Sequence, residues 1–149
     1  MTRPLVSVTM PVYNGSKYLR ETIQSIRWQQ LEDWELVIVD DCSTDASWDI
    51  LQQASQCDPR IKVYRLDRNR GHRAASNAAF SLAKGVFVAR TDQDDVSLPE
   101  RLKTQVSFLL DNPEIGIAGS GHYRLYLDGT KVAVRKDQER AAVRWALLF

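Results

Sequence analysis

Five short apolar or β-branched runs alternate along this chain with segments whose apolar residues recur at helical spacing. The runs predicted as strands cover residues 5–10, 35–39, 61–66, 86–89 and 115–119. The second of them, ELVIV, is typical of a strand buried on both faces of a parallel sheet. Regular alternation of strand and helix favours a doubly wound sheet with right-handed crossovers. We therefore expect an α/β fold, a three-layer α/β/α sandwich with a mostly parallel sheet.

Local signals predict where the helices begin and end. Gly85 is expected to end the third helix, and Ser97 to open the fourth through a capping box that includes Glu100. The first predicted helix begins near Ser16, and the second begins at a cap on Ser43 or Thr44 with Asp45 in its first turn. The third spans residues 74–83, and the fourth runs from Ser97 to about Asp111. The core face of the last helix is expected to carry Leu102, Val106 and either Leu109 or Leu110.

The pattern changes after residue 119. Asp128-Gly129 stands between two β-rich runs and predicts a C-terminal β-hairpin. Because a hairpin and not a helix follows the glycines at 116, 119 and 121, their G-x-x-G-x-G order is not read as a nucleotide-binding loop. Residues 138–149 are predicted to be helical and end on apolar residues without a cap or breaker. We expect residues 1–149 to be one domain, incomplete at its C-terminus.

Composition excludes several classes of partner. Lys and Arg total 20 and Asp and Glu total 19, so the net charge of +1 provides no field to attract nucleic acid or an anionic membrane. Nucleic acid is therefore not an expected partner. Cys42 and Cys57 lack the spacing of a metal site and favour reduced thiols in a cytoplasmic protein. Pro4 and Pro11 interrupt the N-terminal apolar run, so no signal peptide is predicted.

Two acidic loops follow predicted strands. Asp40 and Asp41 follow the second strand, and Asp92, Asp94 and Asp95 follow the fourth. Since carboxyl ends of parallel strands meet at one sheet edge, the two loops predict one shared site. Carboxylates there suit a divalent cation, manganese or magnesium, or the donor groups of a base and a ribose. The alternative is that they only cap the following helices and face solvent.

Other polar groups are predicted at the same edge. Pro11 to Asn14 end the first strand, and the ring of Tyr13 offers a surface on which a base could stack. A basic stretch follows the third strand and is either a solvated charged face or a pyrophosphate site. Its members are Arg65, Arg68, Arg70, His72 and Arg73. We assign no role to His72 alone.

Four segments together resemble the family 2 glycosyltransferases, which share the GT-A fold. They are VSVTMPVYNGSKYL, WELVIVDDCSTDAS, NRGHRAASNAAFSLAKG and DQDDVSLPERL, and the resemblance covers essentially the whole chain. The resemblance implies binding of a nucleotide sugar, usually linked to uridine diphosphate (UDP), with a divalent metal held by a DxD motif. The residues implied for the nucleotide are Pro11, Tyr13, Asn14, Asp40, Asp41, Arg70 and Asp92, and those for the metal are Asp92, Asp94 and Asp95. Within these sets Asp40 supports the loop that carries Asp41.

The resemblance also implies inverting sugar transfer to the hydroxyl of a glycan or lipid-linked acceptor, as in polysaccharide biosynthesis. Two features depart from the family pattern: Cys42 replaces a glycine often found after the acidic pair, and no residue matches the acidic catalytic base. We expect that base beyond Phe149, so the isolated chain should be nearly inactive. The resemblance is compatible with a cytoplasmic location and with peripheral membrane association through the missing part.

Two other functions remain open from the residues alone. A noncatalytic nucleotide-binding or scaffolding domain would carry the same loops without a base. A phosphoacceptor receiver domain also places an acidic pair after a strand, but it would require a third acidic residue at the end of the next core strand and a later lysine. Strand 61–66 instead leads into Asp67 and an arginine-rich loop, and the first strand carries the motif PVYN, for which a receiver has no use.

Overall fold

The computed structural model describes residues 3–126 and 129–134. Four parallel strands form one sheet, and two antiparallel strands form a hairpin after it. The strands of the sheet are Val6–Val12 (β1), Trp34–Asp40 (β2), Ile61–Arg65 (β3) and Phe87–Arg90 (β4), and those of the hairpin are His122–Leu125 (β5) and Lys131–Val134 (β6). The helices are Leu19–Arg27 (α1), Ser47–Cys57 (α2), His72–Leu82 (α3) and Arg101–Asp111 (α4). The predicted hairpin is confirmed; Asp128 at its turn and the predicted helix at 138–149 lie outside the described residues.

The helices cover the sheet on both faces. Side chains of α1, α2 and α4 share one core cluster with residues of the sheet such as Val8, Met10 and Leu36. Helix α3 packs on the other face, where Ala75 and Ala79 contact Val37 and Val39. The predicted three-layer α/β/α sandwich is confirmed.

The sheet has a topological switch point next to β1. The strand order is β3-β2-β1-β4, so the chain adds β2 and β3 on one side of β1 and then returns to add β4 on the other. Ligands of open α/β sheets bind at the carboxyl ends of the strands at such a point. The order also differs from the order 2-1-3-4-5 of receiver-type folds, so the receiver hypothesis is wrong.

Two strand predictions are corrected by the structure. Residues 115–119 form no strand and have irregular backbone, in keeping with a segment that follows Pro113 and has glycine at two of its five positions. Strand β1 does not stop at Pro11 but continues to Val12. The backbone carbonyl of Thr9 points toward β4, where it accepts the N–H of Thr91. The backbone nitrogen of Pro11, two residues later, lies on the same side of β1, where β4 has ended. The absence of an N–H on Pro11 therefore removes no hydrogen bond from the sheet.

Two helix signals also act differently from the prediction. Helix α3 ends at Leu82, and Gly85 instead allows the chain to approach β1, because a Cβ there would lie 2.3 Å from the backbone nitrogen of Ser7. Ser97 is not a helix cap. Helix α4 begins at Arg101, whose guanidinium donates to the hydroxyl of Ser97.

Helix boundaries elsewhere agree with the predicted pattern within a few residues. A turn at 16–18 precedes α1. Helix α2 begins after Ala46, and neither Ser43 nor Thr44 caps it. Leu102 and Val106 are buried on α4 as predicted, with Leu109 partly buried and Leu110 exposed. Within the described ranges, no helix combines the length and apolar character needed to cross a membrane.

Candidate functional site

A pocket of about 340 Å³ opens at the carboxyl ends of the strands, at the switch point. Loops after β1, β2 and β4 and the first turn of α3 form its wall. The lining residues are Pro11, Val12, Tyr13, Asp41, His72, Ala75, Asp92, Gln93 and Asp94. Five residues that the resemblance implied for the nucleotide or the metal therefore meet in one pocket, and these are Pro11, Tyr13, Asp41, Asp92 and Asp94.

Asp40 supports the site from beneath. Its carboxylate is fully buried and lies 3.1 Å from Nε of Arg65, and it accepts the backbone N–H of Ser43. The guanidinium of Arg65 also donates to the carbonyl of Ser43 and lies over the ring of Trp48. Asp40 and Arg65 thus shape the loop between β2 and α2, and neither residue lines the pocket.

Asp41 faces the pocket and also holds a neighbouring loop. Its two carboxylate oxygens accept the backbone N–H groups of Arg70 at 2.7 Å and Gly71 at 2.8 Å. A carboxylate offers about four acceptor sites, so these two bonds leave capacity for a hydrogen from a ligand. The loop that precedes α3 is thereby fixed against the wall that Asp41 forms.

The loop after β1 is held by Asn14. Asn14 adopts φ +50°, donates its N–H to the hydroxyl of Ser43 and accepts the N–H of Thr44 through its side chain. The side chain of Tyr13 remains about half exposed beside it. Asn14 therefore joins two loops and is not among the pocket-lining residues, whereas the Tyr13 ring is open to a ligand.

The basic stretch contributes less to the pocket than its charge suggests. The guanidinium of Arg70 pairs with Asp67 at 3.1 and 3.2 Å, away from the pocket lining. Hydrogen bonding by Arg70 lowers the pKa of Asp67, which is exposed. His72, which has no separate role in the sequence prediction, lines the pocket, and its Nε2 lies 3.5 Å from Oδ1 of Asp92. Contact of Arg70 with a nucleotide stays a prediction.

The acidic loop after β4 is fixed at both ends. Arg90 donates to both oxygens of Asp92 at 2.9 and 3.2 Å. Beyond the loop, Arg101 donates to the carbonyl of Arg90 at 2.6 Å and to the hydroxyl of Ser97. Burial lowers the pKa of Arg101, and the charge of nearby Asp95 opposes that effect. These bonds set the path of the loop that presents Asp92 and Asp94.

The acidic loop can provide part of the coordination of a metal ion whose other ligands are phosphate oxygens of the substrate. Across residues 3–126 and 129–134 no three His, Cys, Asp or Glu side chains gather into a preformed metal site. Magnesium and similar hard cations, however, usually take one or two carboxylates, water and the phosphate oxygens of the substrate. Asp92 and Asp94 line the same pocket and can supply such a pair, while Asp95 is exposed outside the lining. Metal binding by these residues stays a prediction.

Gln93 is the residue of the site that sequence reasoning missed. Its Oε1 accepts the backbone N–H of Tyr13 at 2.8 Å, and its Nε2 donates to the carbonyl of Tyr13 at 3.1 Å. The backbone carbonyl of Gln93 accepts the hydroxyl of Thr22 at 2.9 Å. The side chain thus connects the loop after β1 to the acidic loop, 80 residues apart. The one sequence signal for Gln93 is its position between Asp92 and Asp94 in the acidic loop.

Comparison with known proteins gives a consistent picture. The profile described as Glycosyl transferase family 2 matches residues 7–144. A Bacillus subtilis (strain 168) protein provisionally named as the teichuronic acid biosynthesis glycosyltransferase TuaG is 40% identical over 128 residues, covering 86% of this chain. The chain spans only about half of that relative, since the match covers 50% of its length.

Solved structures agree in fold. S. aureus TarS residues 1–349 in complex with UDP superposes with a TM-score of 0.68 at 34% identity, over 72% of this chain and 32% of the 1–349 chain. The mannosyltransferase PcManGT from Pyrobaculum calidifontis, solved with GDP-Man and Mn²⁺, gives a TM-score of 0.67 at 28% identity over 74% of this chain and 34% of its own.

Proposed function

This chain belongs to glycosyl transferase family 2 and has the GT-A fold, and from that premise we propose that it is the donor-binding part of an inverting glycosyltransferase. The donor is a sugar nucleotide, UDP-linked, and the acceptor is a hydroxyl of a glycan or lipid-linked saccharide. The observation that carries the proposal is the pocket at the switch point, in which Tyr13, Asp41, Asp92 and Asp94 meet. Binding of UDP by TarS supports the choice of nucleotide.

The pocket has two chemically different ends. At one end the ring of Tyr13 can stack on a base, and the carboxylate of Asp41 can accept a hydrogen from the base or the ribose. At the other end Asp92 and Asp94 face the position of the diphosphate. The end with Tyr13 and Asp41 recognises the nucleoside, and the end with Asp92 and Asp94 requires a cation to hold phosphate.

A divalent cation, when bound, would supply positive charge to the leaving nucleoside diphosphate. Asp92, Asp94 and Asp95 are the residues proposed to hold it. Arg90 and His72 orient the carboxylate of Asp92. The shape of the loop, fixed by Arg101, keeps the carboxylates at the pocket wall.

The base that deprotonates the acceptor is proposed to lie in the part of the longer relatives that this chain does not cover. The half-length match to the curated relative supports this division. The name of that relative, which refers to teichuronic acid biosynthesis, supports a role in polysaccharide biosynthesis. We propose a cytoplasmic location with association at the inner face of the membrane through the uncovered part.

Calorimetric titration of the 149-residue chain with UDP, in the presence and absence of Mn²⁺, tests the donor site. We expect metal-dependent binding that Asp94→Asn weakens roughly tenfold or more, as loss of support at metal sites generally does. Asp33→Asn is the matched control, since Asp33 is exposed just before β2, at the opposite edge of the sheet. Equal UDP binding with and without Mn²⁺ would contradict the proposed role of the metal. Absence of UDP binding in both conditions would overturn the donor site.

A further inference from the structure

The side chain of Gln93 connects the acidic loop, at the proposed metal end of the pocket, to Tyr13 at the nucleoside end by two hydrogen bonds. We propose that Gln93 is a positioning residue whose side chain holds Asp92 and Asp94 in the register with Tyr13 that a metal–nucleoside diphosphate requires. The inference rests on the proposed function, because it concerns how that same pocket is kept in shape before the ligand arrives.

The geometry of the amide leaves little freedom to Gln93. Its oxygen accepts the N–H of Tyr13 and its nitrogen donates to the carbonyl of the same residue. The N–H of Tyr13 can only donate, which assigns the oxygen and nitrogen of the amide without ambiguity. With the carbonyl of Gln93 accepting from Thr22, both the side chain and the backbone of this residue are anchored.

The contact between the Gln93 amide and the backbone of Tyr13 matters more for the position of the acidic loop than for that of the loop after β1. The loop after β1 has further anchors, because Asn14 donates its N–H to Ser43 and Gly15 donates its N–H to Ser47. Loss of the Gln93 amide leaves the loop after β1 in place and removes the contact that sets the acidic loop relative to Tyr13. The bonds from Arg90 to Asp92 and from Thr22 to the Gln93 carbonyl remain, but neither of them reaches the loop after β1. A preorganised site loses affinity when a loop must be ordered at binding, and that cost falls on ligands that reach the metal end.

Gly15 provides an independent way to move Gln93. A Cβ at Gly15 would lie 2.6 Å from Oε1 and 2.7 Å from Cδ of Gln93. Gly15 lies outside the left-handed φ region, and the atoms it would meet are the end of a flexible side chain, so alanine can be accommodated if the amide moves away. Gly15 does not line the pocket, which separates this perturbation from direct contact with the ligand.

The test compares the binding of uridine and of Mn²⁺–UDP by calorimetry in the full chain. Gln93→Met and Gly15→Ala are expected to weaken Mn²⁺–UDP about tenfold, on the order of two net hydrogen bonds, and uridine by less than about threefold. In a Gln93→Ala background, Gly15→Ala is expected to have no further effect, because the displaced amide is already gone. Gly116→Ala, with open space around its Cβ position, and Gln52→Met on the exposed surface of α2 are the matched controls.

Each result decides between the two proposals. Wild-type affinity for Mn²⁺–UDP in both Gln93→Met and Gly15→Ala would overturn the positioning role while the donor site stands. An undiminished effect of Gly15→Ala in the Gln93→Ala background would also overturn it, since the methyl group would then act by another route. Failure of the wild-type chain to bind UDP would overturn the donor site and the positioning role together.

Discussion

The carboxylate of Asp41 accepts a 2.8 Å hydrogen bond from the backbone N–H of Gly71, the residue that precedes the first turn of α3. Gly71 has φ +85°, a conformation that favours glycine. Together with the bond from Arg70, the contact fixes the start of α3 against the end of β2. The wall of the pocket and the fold are therefore stabilised by the same carboxylate.

Replacing Asp41 tests that double role. In Asp41→Asn one oxygen becomes an NH₂ group that faces a backbone donor, so one of the two hydrogen bonds to Arg70 and Gly71 is lost. We expect the free energy of unfolding to fall by about 2 kcal/mol, measured by urea denaturation. Asp33→Asn is the control for the charge change. A stability equal to that of the control would contradict the structural role of Asp41.

Cys42 occupies a strained backbone position. Its φ of +60° lies in the left-handed region, which costs a residue with a Cβ about 1–2 kcal/mol, whereas glycine enters it freely and pays about 0.5–1 kcal/mol in entropy. Cys42→Gly should therefore raise the free energy of unfolding by about 0.5 kcal/mol. Cys42→Ala removes the thiol but keeps the Cβ, and should not show this gain. Equal stability of the two variants would argue against backbone strain.

Asp45 predicts a pH dependence of stability. Although burial raises its pKa, hydrogen bonds from Ser47 and Ser16 prevail and lower the pKa from 3.8 to about 2. A folded-state pKa below that of the unfolded chain gives stability that is present above about pH 4 and lost as the pH falls through about 2. Because Asp45 is exposed, the contribution is at most about 1 kcal/mol.

Urea unfolding of wild type and Asp45→Asn between about pH 6 and about pH 2 measures this contribution. The difference between the two proteins should be largest at the upper end and shrink toward the lower end. A difference that grows as the pH falls would contradict the assignment. Asp33→Asn again serves as the charge control.

Gly85 is predicted to be intolerant of any side chain. The hydroxyl of Ser7 accepts the N–H of Gly85 at 2.7 Å and donates to Glu35 at 2.6 Å, in a buried network. A Cβ would meet backbone atoms that cannot move independently, so Gly85→Ala should destabilise the fold by about 3 kcal/mol or more. Gly116→Ala should be close to neutral. A thermal melt of both variants checks the prediction, and similar midpoints would refute it.

The sequence predicted well where a residue acts through local chemistry. The run that became β2, the buried Leu102 and Val106, and the hairpin around Gly129 follow from periodicity and turn preference. Predictions were wrong where a partner distant in sequence decided the outcome. The local pattern predicts Gly85 as a helix stop and cannot indicate its contact with Ser7, 78 residues away. Residues 115–119 have strand-like composition, but among the described residues no neighbouring strand pairs with them.

The sequence by itself determined the α/β architecture and the residue types at the strand ends, since apolar periodicity and acidic loops are properties of neighbouring residues. The tertiary structure decided how those carboxylates divide their work. Asp40 pairs with Arg65 and does not line the pocket, whereas Asp41 and Asp92 both do. The side chain of Gln93 accepts a hydrogen bond from the backbone of Tyr13. The physical reason is that strand order and loop-to-loop hydrogen bonds bring together residues far apart in the chain, and no local pattern records them.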